Sequence, residues 1–435
     1  MNLLPRLPEI DAWIVDDCVK GYPGGAGPRP LREIGQSGWN VLRGDVPFPV
    51  AVLKASALEN NRKWMNRFVE ALGVELAPHG KTTMSPQLFH AQLADGAWGM
   101  TCATISQLQV YRRFGVQRVL IANQVVGSRN IGYLLDESMR DPEFEPYVLV
   151  DSVEGVELLA AAARNRRIPR PLRVLMEIGQ PGVRTGARDL THVRRLLTAI
   201  ESTTPWLALH GVECYEGAIK APPDAAPGAV REMLNLQTEA ARLVAASQAA
   251  RTADPFILSA GGSEYFDIVA LALRDIDLGR RTSVVLRSGC YIVHDHLAYA
   301  QAFERLRARQ PSADWIGTGL APALEIWTVV QSRPEPTRAY AAAGKRDLSH
   351  DMQLPVAIGW LDPQRHSRPK PPPDLEVIAL NDQHVHLRLP ADSPLRVGQL
   401  IGFGVAHPCT TFDKWQLIYV VDDHYRIVDA IRTYF

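Results

Sequence analysis

The stretch APHGKTTMSP, residues 77 to 86, sets Lys81 directly after a glycine at the end of an apolar run. An ammonium in that place is either a solvated loop charge or a nucleophile able to condense with an aldehyde. Two later stretches bear on the choice. SAGGSEYFD (259–267) and RSGCYIVHD (287–295) each put glycine and serine just behind a strand-like run, the arrangement by which (β/α)8 barrels bind phosphate after their seventh and eighth strands. In the first, Gly261 and Gly262 allow close backbone approach and Ser263 supplies a hydroxyl. In the second, the amides of Ser288, Gly289 and Cys290 could complete a cradle. Read as turn residues alone, the same glycines need no ligand. Both loops falling in the expected place, with a lysine across the mouth, point to a cofactor bearing both a phosphate and an aldehyde. Pyridoxal phosphate is that cofactor.

A second constellation lies near the C-terminus, in AHPCTTFDKW (406–415). Read as extended chain, it projects His407 and Cys409 to one face and Pro408 to the other, so that imidazole and thiolate can share one metal ion. Soft sulfur favours zinc, with another divalent metal as the alternative. Two protein ligands would leave open positions, as a catalytic site requires. The competing reading is a packed histidine and a buried thiol.

These groups need a scaffold, and the alternation of patterns supplies one. After a helical stretch at 57–72, strand-like runs occur at 74–78, 97–103, 118–123, 146–151, 172–179, 207–214, 255–261 and 283–289, separated by segments of helical period. Eight such units predict an α/β fold, a (β/α)8 TIM-type barrel over residues 55–304 with its chemistry at the carboxyl ends of the strands. From about residue 305 the pattern turns to strands without long helices, which predicts a second, β-rich domain made of residues 1–54 and 305–435 and carrying the metal site. The run PFPVAVLKA (47–55) is expected to add a strand to it. Proline-rich LDPQRHSRPKPPPD (361–374) reads as a surface loop.

Composition excludes several classes. Lys+Arg and Asp+Glu balance at 47 each, with no run of like charge, so neither nucleic acid nor a membrane surface has an electrostatic footprint. The five cysteines include no CxxC pair, which suits a reducing compartment. No apolar stretch has the length of a signal peptide core or a membrane span. The expectation is a cytoplasmic protein acting on a small molecule.

Taken in order, PHGKT followed by SP (78–86), GVRTG (182–186), CYEG (214–217), SAGGS (259–263), RSGCYIVHD (287–295) and HPCTTFDKW (407–415) resemble the D-serine dehydratase and D-threonine aldolase family. These are fold type III pyridoxal-phosphate enzymes related in architecture to alanine racemase, and the resemblance runs from about residue 48 to 420. It implies the cofactor on Lys81, Arg184 near its phenolic oxygen, Tyr215 facing the pyridine nitrogen, Tyr291 among the cofactor-binding residues, zinc at His407 and Cys409, and a homodimer. It implies a lyase. The leading expectation is a D-serine dehydratase that converts D-serine or a related D-3-hydroxy amino acid to a 2-oxo acid and ammonia, and the alternative is a D-threonine aldolase. Aldolases of the family tend to carry a carboxylate where Cys409 stands, which tilts the reading to dehydration.

Other histidines divide. His79 either orients the lysine or caps its strand, His210 reads as a barrel-core residue, and His294 and His296 read as structural, with Asp295 as an orienter of Tyr291. His384 resembles an acidic-histidine segment of the family, although Val385 stands where a glycine is expected. The lysine motif also departs from the family's KTHK, reading KTTM with Thr83 and Met84.

Overall fold

A computed structural model describes residues 4–364, 369–370 and 374–435. By its contacts the chain divides into two compact units, one of residues 1–65, 82–91 and 290–435, the other of residues 66–81 and 92–289. This division differs from the expected boundary at 55 and 304. The chain crosses between the units twice at candidate site residues, at Lys81–Thr82 and at Gly289–Cys290.

The second unit holds eight parallel strands: β1 (Glu75–Leu76), β2 (Met100–Cys102), β3 (Arg118–Gln124), β4 (Glu145–Val150), β5 (Leu172–Ile178), β6 (Leu207–Cys214), β7 (Phe256–Ala260) and β8 (Thr282–Leu286). Their order is β1-β8-β7-β6-β5-β4-β3-β2. The ring closes between β1 and β2, where the amide of Trp98 donates to the Leu76 carbonyl at 2.8 Å, that of Thr101 to Pro78 at 2.9 Å, and His79 forms a parallel bridge with Thr101. Runs such as YVLV and VLM are apolar on both faces, as a parallel sheet buried on both sides demands. Inside the ring Ala77, Leu120, Leu149, Leu175, Ile257 and Val285 pack together.

Every strand is followed by a helix in the chain: Pro86–Ala94, Ile105–Arg113, Ser128–Arg140, Val153–Arg166, Leu190–Ser202, Ala226–Ala245, Phe266–Leu273 and Ala298–Arg309. Three of these begin on a side-chain cap, with Thr104, Ser152 and Asp189 accepting from the amides of Gln107, Gly155 and His192. Such caps satisfy an otherwise unpaired amide and stop the preceding loop in a fixed place.

The first unit is built on a nine-stranded sheet. Its centre is the long strand Leu324–Glu335, which pairs antiparallel with Val50–Lys54, with Arg338–Ala341 and with Leu400–Gly404. Val50–Lys54 is therefore a strand of this sheet, and its other edge runs parallel to Leu417–Val421. Gly402 is required here, since a Cβ on it would stand 2.7 Å from the Trp327 ring. Within the proline-rich stretch at 361–374, residues 365–368 and 371–373 lie outside the described residues. Among the described residues no helix is long and apolar enough to cross a membrane.

Candidate active site

Lys81 sits in a 3₁₀ turn, Gly80–Thr82, that follows the closing bridge of His79, and its side chain is exposed. The loop after β8 passes directly against this turn. The His79 amide donates to the Arg287 carbonyl at 3.2 Å, and a Cβ on Gly289 would stand 2.2 Å from the His79 carbonyl oxygen. Only glycine allows that approach. Burial first, and then the charges of Lys81, Arg287 and Arg184, hold the His79 imidazole well below the usual histidine range. His79 is thus neutral.

The loops after β5 and β6 complete this end of the barrel unit. Gly179 and Gly186 let the GVRTG loop fold onto the strand end, since a Cβ on Gly186 would lie 2.5 Å from the Gly179 nitrogen. Thr185 Oγ1 donates to Glu177 at 2.8 Å, and Gln124 donates to the same carboxylate. The Arg184 guanidinium lies over the Tyr215 ring at 5.1 Å and that of Arg287 at 5.9 Å, within the range in which a cation is drawn to an aromatic face. Beneath them, Arg287 pairs with Glu213 at 2.7 Å and donates to the Cys214 carbonyl at 2.6 Å.

The two glycine-serine loops are tied to each other. Ser288 Oγ donates to the carbonyls of Gly261 and Gly262 at 3.1 and 2.8 Å. The amides of Gly261 and Gly262, expected to face a phosphate, are taken by the buried carboxylate of Glu216 at 3.0 and 2.6 Å. Glu216 thus occupies the anion position those two amides offer. Ser263 is half-buried, and the backbone at Gly289 lies against His79. Gly262 is also held close, a Cβ there meeting Tyr215 Cε2 at 3.1 Å. With the Gly261 and Gly262 amides engaged by Glu216, the groups left that suit a phosphorylated aromatic aldehyde are the Lys81 amine, the Tyr215 ring with its two guanidiniums, and the backbone at Ser288 and Gly289.

In the other unit, the extended reading of AHPCTTF is corrected. Pro408 has φ −63° and ψ −33° and leads into the helical turn Cys409–Phe412, with the amides of Thr411 and Phe412 donating to the Pro408 carbonyl. In a helical turn residues i and i+2 do not share a face, so the alternation that would aim His407 and Cys409 together does not exist. His407 Nδ1 instead meets the Asp351 carboxylate at 2.5 Å, which Thr410 Oγ1 also holds at 2.8 Å. Cys409 Sγ stands 3.4 Å from Thr82 Oγ1 and 3.5 Å from Cys290 Sγ. Among the described residues, the one group of three that could share an ion is Asp16, Asp17 and Cys18, on the surface. The donors at 407 and 409 still suit a borderline metal, since a histidine fixed through Nδ1 by a carboxylate presents Nε2, the arrangement metal-binding histidines use.

The other residues singled out in the sequence are held in packing and hydrogen-bond contacts. His210 is nearly buried on β6 and edge-on to Tyr147 at 5.9 Å, its imidazole pushed down to about 4 chiefly by burial. His296 fills the space left by Gly404, where a Cβ would lie 2.3 Å from its Cγ. Asp295 accepts from the amides of Leu297, Tyr299 and Ala300 and so caps the helix Ala298–Arg309. His384 and His386 stand edge-on to Tyr340. An apolar cavity of about 280 Å³, lined in part by Phe144, Pro146, Pro171 and Leu172, lies at the amino ends of β4 and β5, the opposite end from Lys81.

Sequence reading missed Thr82, Glu177, Glu213, Glu216, Arg287 and Asp351. Glu177 and Glu213 carried a signal, a carboxylate within an otherwise apolar strand; Asp351, 56 residues from its partner in irregular chain, carried none.

Comparisons with known proteins follow this geometry. The family model for the serine dehydratase domain matches residues 323–421. A 3-hydroxy-D-aspartate aldolase of Paracoccus denitrificans is 26% identical over 328 residues, 72% of this chain and 76% of that protein. In structure, the chain resembles a D-threonine aldolase from Filomicrobium marinum with a TM-score of 0.70 and 22% identity, over 89% of this chain and 95% of the other. It resembles the D-threo-3-hydroxyaspartate dehydratase from Delftia sp. HT23 at 0.67 and 20%, over 90% and 98%. An alanine racemase from Bacillus anthracis shares the fold at 0.55 and 14%, over 89% and 98%.

Proposed function

We propose that this chain, which is similar to 3-hydroxy-D-aspartate and D-threonine aldolases and to a D-threo-3-hydroxyaspartate dehydratase and has an alanine racemase-like fold, is a lyase dependent on pyridoxal phosphate and a divalent metal, zinc in the first place, that eliminates water from D-serine or a related D-3-hydroxy amino acid. The products would be a 2-oxo acid and ammonia. The observation that carries this reading is the placing of the Arg184 and Arg287 guanidiniums 5.1 and 5.9 Å from the Tyr215 ring, with the glycine loop after β8 packed against His79, two residues before Lys81.

Pyridoxal phosphate, when bound, supplies an aldehyde for an amine and a conjugated ring that accepts the electron pair of a Cα–H bond. Lys81 Nζ is the amine that would hold it and, once released, the base that takes the Cα proton. Tyr215, a neutral partner for the ring nitrogen, leaves that nitrogen less firmly protonated than a carboxylate would. Arg184 and Arg287 lie against the tyrosine ring, and neutral His79 lines the turn without adding charge. The metal would be held by His407 and Cys409 and would polarise the β-hydroxyl as a Lewis acid. Within the β-rich unit, Cys409 hydrogen-bonds to Thr82, the residue after Lys81 in the chain.

Retro-aldol cleavage to glycine and an aldehyde is the second reading. The names of the Paracoccus and Filomicrobium proteins favour it, while the thiol at 409 favours dehydration. Incubation of the purified protein with D-serine, D-threonine and D-threo-3-hydroxyaspartate, with and without a chelator, separates the two. Dehydration releases pyruvate, 2-oxobutanoate or oxaloacetate with ammonia, whereas cleavage releases glycine with formaldehyde, acetaldehyde or glyoxylate. Product from none of them sinks both readings. Loss in Lys81→Ala of the visible absorbance that marks cofactor bound to a lysine tests the cofactor assignment by itself. A homodimer, the assembly we propose, would run at twice the 48.1 kDa chain mass in sedimentation.

A further inference from the structure

We propose that Cys290 and Cys409 are an oxidisable thiol pair whose conversion to an intramolecular disulfide withdraws Cys409 from metal binding; the second half rests on the metal reading above, the first does not. The two sulfurs lie 3.5 Å apart although 119 residues separate them in the chain, and neither is in a disulfide. A disulfide bond measures about 2.05 Å, so the sulfurs need to close by roughly 1.5 Å, within the reach of side-chain rotation.

The pair is asymmetric in a way that orders the chemistry. Cys409 is half-buried and Cys290 is 5% exposed, so a small reagent meets Cys409 first. Thr82 Oγ1 touches both: the Cys409 thiol donates to it at 3.4 Å, and its own hydrogen can turn to Cys290 Sγ at 3.5 Å. One hydroxyl that accepts from one thiol and donates to the other is a path by which a proton passes between them. The remaining cysteines are set apart from this behaviour. Cys102 and Cys214 are buried on barrel strands with their thiols pushed up by burial, which suppresses the reactive thiolate, and Cys18 is exposed.

With a small disulfide as oxidant, the Cys409 thiolate attacks one sulfur of the reagent, forms a mixed disulfide and releases one thiolate. The Cys290 thiolate then attacks Cys409 Sγ, the protein S–S bond forms, and the second reagent thiolate leaves. The two protein sulfurs lose two electrons, the reagent gains them, and the two thiol protons end on the released thiols. A dithiol reverses the sequence. In the disulfide, Cys409 has no thiolate to offer a cation, so a bound metal and the oxidised pair exclude each other.

The test treats the full-length protein, metal-stripped or loaded with zinc, with oxidised glutathione, then blocks remaining thiols and maps peptides by mass spectrometry. Stripped protein should yield a peptide linked through 290 and 409 that disappears with dithiothreitol. Cys290→Ser should stop at a glutathione adduct on Cys409, and Cys409→Ser should yield no link and leave Cys290 unmodified. A lasting adduct on Cys409 of the unaltered protein with Cys290 still blockable, or no reaction at either while Cys18 reacts, overturns the pair. With zinc at ten times its dissociation constant, linking should slow roughly tenfold. Equal rates with zinc demonstrably bound would overturn the coupling and remove Cys409 from the ligand set while the pair stands; a protein that binds no zinc fails the metal reading, and the linked peptide still decides the pair.

Discussion

Glu213, at the end of β6, and Arg287, just past β8, face each other at 2.7 Å with both side chains all but sealed from water. Burial dominates the carboxyl, Arg287 and Arg184 draw it back, Glu177 and Glu216 push it further, and the result is a group raised from the ordinary 4.5 to about 8. Burial thus favours the protonated form of Glu213 beside Arg287.

This protonation makes stability pH-dependent in a direction that can be worked out. Native Glu213 binds its proton up to about pH 8, whereas in the unfolded chain it lets go near 4.5. The native state thus holds more protons in that window, and stability falls as pH rises through it. The penalty starts above the unfolded value and is complete above about pH 8; a shift of this size corresponds to on the order of 5 kcal/mol. Glu213→Gln mimics the protonated form at all pH values. Its melting temperature should lose less than that of the unaltered protein between pH 5 and 8.5, and parallel curves would mean that Glu213 is ionised in the native state.

Glu216 carries a different load. Its carboxylate satisfies two buried amides, those of Gly261 and Gly262, from a position with no exposure. Glu216→Ala strands both donors, and each unsatisfied buried amide costs about 1–3 kcal/mol. A loss of roughly 2–5 kcal/mol in denaturant unfolding is expected. Glu216→Gln retains one acceptor oxygen and should lose about half as much. If added inorganic phosphate restores Glu216→Ala preferentially, the two amides can serve an anion after all; if it does not, the cradle belongs to Glu216 alone.

The barrel was legible because parallel strands buried on both faces read as apolar runs, and all eight sit where those runs lie. Lys81 and the glycine loops were legible as punctuation at the strand ends. What the glycine amides bind was not, because Glu216 lies only two residues past a strand and nothing local reveals that it turns towards a loop 45 residues away. The geometry around Cys409 was misread for a reason internal to the motif. Pro408 allows either an extended or a helical start, and the helical turn wins with two amides donating back to its carbonyl. Contacts such as Thr82 with Cys409, 327 residues apart, exist only once the chain has folded.

Gly404 shows how closely the β-rich unit is packed behind the 406–415 segment. A Cβ there would stand 2.3 Å from His296 Cγ and 2.5 Å from its Nδ1, and His296 is itself pinned by its amide to the Val405 carbonyl at 3.1 Å. Its Cβ, which would stand 2.7 Å from the new Cβ, moves only with that backbone. Gly404→Ala should cost about 1–3 kcal/mol by overpacking, read as a lower urea midpoint. Gly404→Ala combined with His296→Gly, which also removes the His296 Cβ that would stand 2.7 Å away, should recover most of the loss; a double variant no more stable than the single one would place the strain elsewhere.

Asp351 is the group through which His407 can be tested without touching either proposed ligand. It meets His407 Nδ1 at 2.5 Å and is steadied by Thr410, so it fixes both the ring orientation and which nitrogen carries the proton. An imidazole that donates from Nδ1 offers its lone pair at Nε2, and removing such a partner typically weakens a metal site by roughly 10–100-fold. Asp351→Asn keeps the size but presents a neutral group that can hold the ring in either orientation. Zinc affinity measured by competition with a chromophoric chelator should fall by about that factor, and activity should return at saturating zinc. Unchanged affinity would mean that the Asp351–His407 pair only ties the loop to the Cys409 turn, and His407 would leave the ligand set.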